Sequence, residues 1–97
     1  MNAKTKETIL QAAIKMASRD GYRHMKRNDI AITAGVGAGT VNLYFPKGID
    51  SLRSAVMRRA IRDGVTFIVG QGLADRNTYA RKAPLELKEK AVAEMMR

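Results

Sequence analysis

A chain of 97 residues, 45% hydrophobic and free of cysteine, is long enough for one small domain with a core of a few helices. Disulfides and thiolate metal sites are excluded, and no apolar run approaches the ~20 residues of a membrane span. The formal net charge is +9, so the natural partner is a polyanion, either nucleic acid or an anionic membrane.

The pattern along the chain predicts helices throughout. From Thr5 to about Arg19, Ile9, Ala13, Met16 and Ala17 share one face, widened by Leu10 and Ile14. Thr5 is the expected N-cap, Gly21 the residue that ends the helix, and Tyr22 the side chain that folds back onto its last turn. A second, short helix starts near Asn28-Asp29 and stops at Gly35. A third runs from about Ala38 to Tyr44, terminated by Pro46 and Gly48. Beyond it, Leu52, Val56, Ala60/Ile61, Val65, Ile68/Val69 and Leu73 recur every three or four residues, as in one long amphipathic helix. Arg53, Arg58, Arg59 and Arg62 fall on its other face, and Gly64, Gly70 and Gly72 loosen its later turns. "ADRNTYARKAP" reads as a loop, and Pro84 opens a final helix carrying Leu85, Val92, Met95 and Met96.

Charge is distributed unevenly over these elements. Residues 1–62 hold 12 basic and 4 acidic side chains, whereas residues 63–97 hold 6 and 5. The polyanion therefore belongs with the front two-thirds. The N-terminal "MNAKTKETIL" lacks the apolar stretch and cleavage site of a secretory signal, so a cytoplasmic location is expected.

The segment "GVGAGTVNLYFP" (35–46) admits two functions. As a dinucleotide-binding loop it needs glycines at 35, 37 and 40, and position 40 is Thr40; the Lys-Ser/Thr ending of a nucleoside-triphosphate loop is also missing. A helix-turn-helix needs a small residue where two helices cross (Ala31), a residue tolerating positive φ at the turn (Gly35) and an apolar residue facing back (Val41). All three stand in register, and Ile30, Ala34, Val36 and Phe45 complete the core under the pair.

These residues resemble a family. "TILQAAIKMASRDGY", "DIAITAGVGAGTVNLYF" and "SLRSAV", together spanning about Thr5 to Val56, are similar to the DNA-binding domain of the tetracycline-repressor (TetR) family. The resemblance implies an all-α fold: a three-helix bundle with a helix-turn-helix, a long fourth helix and a short C-terminal helix. It implies residues 1–50 for DNA binding and 51–97 for dimerisation within one compact unit, a homodimer and a palindromic operator. Repressor is the implied direction of control. Lys26 stands where the family has a capping Thr or Ser and Arg27 where it has an apolar residue, so helix 2 either begins at Asn28 or presents an exposed basic corner. The family also adds a ligand-sensing domain that the residues after Arg62 are too few to form, so no small-molecule effector is expected.

Candidate DNA contacts follow. Asn42 has an amide able to pair bidentately with adenine N6/N7. Gly37, Ala38, Gly39 and Thr40 open helix 3, where backbone N–H groups meet a phosphate. Leu43 either touches a thymine methyl or is half-buried, and Tyr44 resembles the family's phosphate-contacting aromatic. Lys26, Arg27 and Lys47 would clamp the backbone without reading sequence. Val65, Ile68, Val69, Leu85, Val92 and Met95 are the dimerisation candidates, and Leu85, Leu87, Met95 and Met96 the surface for a partner protein. His24 lies alone in a loop, so neither metal, cofactor nor catalytic role is expected. The alternatives are a non-specific architectural DNA binder, an activator, or a basic amphipathic protein on anionic membrane.

Overall fold

The computed structural model describes residues 2–97. The elements in order are α1 (Ala3–Asp20), a 3-10 turn at Tyr22–His24, α2 (Arg27–Ala34), α3 (Ala38–Tyr44), α4 (Ile49–Asp63), α5 (Thr66–Ala74), α6 (Thr78–Arg81) and α7 (Leu85–Met95). The fold is all-α, as the periodicity predicts. The chain gathers into two compact units, 1–56 and 57–97, where the sequence suggests one unit divided at 50/51.

In the first unit α1 starts earlier than Thr5. The Asn2 side chain accepts the Lys4 N–H at 2.9 Å and is the N-cap, which places Thr5 inside the helix. At the other end the Gly21 N–H donates to Ala17 O at 2.9 Å. Ile9, Ala13, Met16 and Ala17 are buried, and α1 lies against α2. Each such side chain the size of Ile or Met contributes on the order of 1.5–3 kcal/mol. Just after Asp20's helix end, Tyr22 is buried, and His24 belongs to the 3-10 turn rather than a loop. The Arg19 guanidinium bonded to Asp20 holds that carboxyl below its ordinary range.

The turn between α2 and α3 is set by Gly35, at φ 74° and ψ 31°. Its N–H donates to Ile32 O at 3.1 Å and the Val36 N–H to Ala31 O at 3.0 Å, the paired bonds of a left-handed helix end. Ala31 and Val41 are both buried, together with Ile30 and Phe45, while Ala34 and Val36 are half-buried.

In the second unit the long fourth helix expected from periodicity is interrupted. α4 stops at Asp63; Gly64 has φ 72°, and the Val65 N–H donates to Ala60 O at 2.8 Å. This is the same terminating bond that closes α2, and it outweighs an apolar spacing that would otherwise run on. α5 follows, and the segment read as a loop contains α6, capped by Asn77, whose side chain accepts the Ala80 N–H at 3.0 Å. Pro84 opens α7 as expected. α5 lies against α6 and α7, and its glycines permit the contact. A Cβ at Gly70 would lie 2.8 Å from Met95 Sδ; one at Gly72 would lie 2.5 Å from Met57 Cε and 2.8 Å from Ala80 Cβ.

Candidate nucleic-acid interface

α3 presents an uncharged outer surface. Gly37, Ala38, Gly39, Asn42 and Leu43 are exposed, Leu43 at 59%, while Thr40 and Tyr44 are half-buried. A Cβ added at Gly37 or Gly39 would meet no atom within 4 Å, so packing does not require glycine at either position. The Thr40 N–H donates to Gly37 O at 3.0 Å. That donor is committed inside the helix, which removes Thr40 from the set of backbone groups expected to meet a phosphate.

α2 begins at Arg27, with Lys26 as an N-cap that makes no side-chain capping bond. The helix therefore starts one residue before Asn28, and its basic corner has Lys26 exposed and Arg27 half-buried. Arg27 Nη1 donates to Asn42 Oδ1 across the turn. Arginine carries only donors, so the amide oxygen of Asn42 must be the atom facing it. Lys26, Arg27, Asn28, Asp29, Ala38 and Asn42 line a shallow groove of about 410 Å³ at this junction. The guanidinium also borders the turn after α3: a Cβ at Gly48 would lie 3.9 Å from Arg27 Nη2. Lys47 and Lys26 are exposed.

Tyr44 is tied down at its tip. Its hydroxyl accepts the Asn2 N–H at 2.7 Å, fixing the end of α3 to the start of α1. The hydroxyl proton remains available for donation. Phe45 is core, with Lys6 Nζ 5.5 Å above its ring. Arg53, on the polar face of α4 as its spacing predicts, has a structural role that spacing does not reveal. It donates to Asp50 Oδ1 and Arg23 O, both at 2.9 Å, and so ties α4 to the 3-10 turn.

Of the dimerisation candidates, Ile68 and Val69 are fully buried and belong to the core, which corrects their assignment to a contact surface. Val65 is half-buried; Leu85, Val92 and Met95 are exposed, joined by Phe67, Tyr79 and Met96, of which the sequence pattern does not single out Tyr79 for this surface. Among the described residues no group of three or more His, Cys, Asp or Glu could hold a metal ion, and no helix is long and apolar enough to cross a membrane.

Two helices joined by a left-handed glycine turn, the second exposed and bordered by cations, define a helix-turn-helix DNA-binding protein. Residues 9–56 match the family model described as bacterial regulatory proteins, tetR family. The chain carries a TetR-family DNA-binding domain, the DNA-binding part of a transcriptional regulator. The match ends at Val56, where the first compact unit ends. No curated protein and no solved structure matches the chain.

Proposed function

We propose that the protein is a sequence-specific repressor that binds a palindromic operator as a homodimer, with α3 in the major groove. The observation that carries this reading is the α3 surface: exposed, uncharged, and flanked by Lys26, Arg27 and Lys47. Affinity then comes from the flanking cations and selectivity from the helix between them, a division of labour common to groove-reading proteins. Gly37 and Gly39 keep the start of α3 thin, so the backbone of Ala38 and Gly39 approaches a phosphate closely.

One such helix reads few base pairs. Two copies are therefore needed, with half-sites about one helical turn apart or a multiple of it. The exposed apolar side chains of the second unit, Phe67, Leu85, Val92 and Met95, are the surface best suited to join them. Leu85 and Val92 lie seven residues apart on α7, on one stripe of that helix. Selection of bound sequences from a random duplex pool tests the proposal. A palindrome is expected; an enriched single half-site would remove the dimer, and absence of enrichment would leave a non-specific architectural binder.

A further inference from the structure

Leu43 is the largest exposed side chain of α3. The other exposed residues of that helix are Ala38, Gly39 and Asn42, so its outer face offers a methyl group, bare backbone, one amide and one isobutyl group. Ala38 and Asn42 line the shallow groove at the junction with α2, where the amide meets Arg27; Leu43 stands outside that lining. At 59% exposure it has no place in the core, and most of the residue is uncovered by its own chain. A single exposed leucine is ordinary on a protein surface. What distinguishes this one is its position. One turn earlier on the same stripe stands Gly39, where a Cβ would meet no atom within 4 Å, so no side chain shields Leu43 from that direction. α3 has seven residues, about 10 Å of helix, and its whole outer face fits a major groove about 12 Å wide.

Taking α3 as the base-reading helix of the proposed function, we infer that Leu43 is a specificity-determining residue that selects thymine by its C5 methyl group. A leucine side chain neither donates nor accepts a hydrogen bond. Set against the amino group of cytosine or adenine, or against O6 of guanine, it displaces water and returns no bond. Among the bases of DNA, thymine alone carries a methyl group into the major groove, and contact there buries apolar surface on both sides. Either strand of the half-site can supply it. The preference is separate from the charge: the flanking cations hold a duplex of any sequence, and Leu43 adds the choice of base.

Uracil is thymine without that methyl group, so exchanging one for the other isolates the contact. The full-length protein is titrated against the duplex selected from the random pool. It is then titrated against copies in which each thymine of one half-site, on either strand, is replaced singly by uracil. The wild type is expected to lose about fourfold in affinity at one of these positions, the effect of one buried methyl group. Leu43→Ala should bind the unsubstituted duplex more weakly by about the same factor and lose nothing further with uracil there. Leu43→Met should keep the loss, because its apolar reach is preserved. Neither change touches a charge, so the slope of log K against log salt stays at the wild-type value. Thermal melting by circular dichroism confirms that each variant folds. A selected half-site without thymine overturns the inference, as does a wild type indifferent to uracil at every position. A Leu43→Ala variant that discriminates as the wild type does overturns it too, since another residue then meets the methyl group. A pool with no enriched sequence removes the sequence-specific reading itself, and this inference with it.

Discussion

Gly39 separates the needs of the fold from those of function. It sits inside α3, its added Cβ would touch nothing, and glycine in a helix costs roughly 0.5–1 kcal/mol relative to alanine. Gly39→Ala should therefore raise stability by about that amount while weakening DNA binding, if the methyl group stands where the proposed reading brings a phosphate. Thermal melting and a duplex titration give the two signs; a stabilised variant that binds as well as wild type removes Gly39 from the interface. Lys47 makes a different kind of contribution. Lys47→Ala should weaken binding to every sequence and reduce the slope of log K against log salt by about 0.9 per half-site. An unchanged slope means that its ammonium neutralises no phosphate. At this scale the sequence was most readable where one residue type answers one geometric demand, as Gly35 does. It was least readable where a role depends on a partner distant in the chain: Arg27 on Asn42, Tyr44 on Asn2, Arg53 on the Arg23 carbonyl.

At the level of elements, α3 spans the residues that its pattern predicts, Ala38–Tyr44, because a glycine turn on one side and Pro46 on the other leave no choice of ends. The break after α4 was harder to see. Apolar residues keep helical spacing through 52–73, and only the Gly64 termination interrupts them. α6 hid in a polar stretch because four residues show no periodicity; its legible mark is Asn77, a capping residue directly before Thr78. Glycines 70 and 72 looked like weak points of a helix, yet they are where α5 meets its neighbours. Gly72→Val should consequently lower stability by roughly 1–3 kcal/mol through overpacking, since the Ala80 Cβ cannot rotate away as the end of Met57 can. Denaturant unfolding checks this, and a variant as stable as wild type would mean that α5 and α6 separate at little cost.

For the whole molecule, the basic composition pointed to a polyanion and the matched motif specified which one. The assignment of buried Ile68 and Val69 to an interface shows the limit of that reading: an apolar stripe has the same appearance whether its own chain or another covers it. Exposure separates the two cases and leaves Leu85 and Val92 on the surface. Leu85→Glu with Val92→Glu should convert the proposed dimer to a monomer by sedimentation at micromolar concentration, with helical content unchanged. A wild type that sediments as a monomer at that concentration would place the contact elsewhere or remove it.

As proposed, the reading of DNA sequence by α3 takes two copies of the chain. Its most direct test is the affinity for the selected duplex against a scrambled duplex of equal length at one fixed salt concentration, with the mass of the complex determined alongside. A ratio of about 10³ or more is expected, with two chains bound per duplex. A ratio near one, at any stoichiometry, would contradict it.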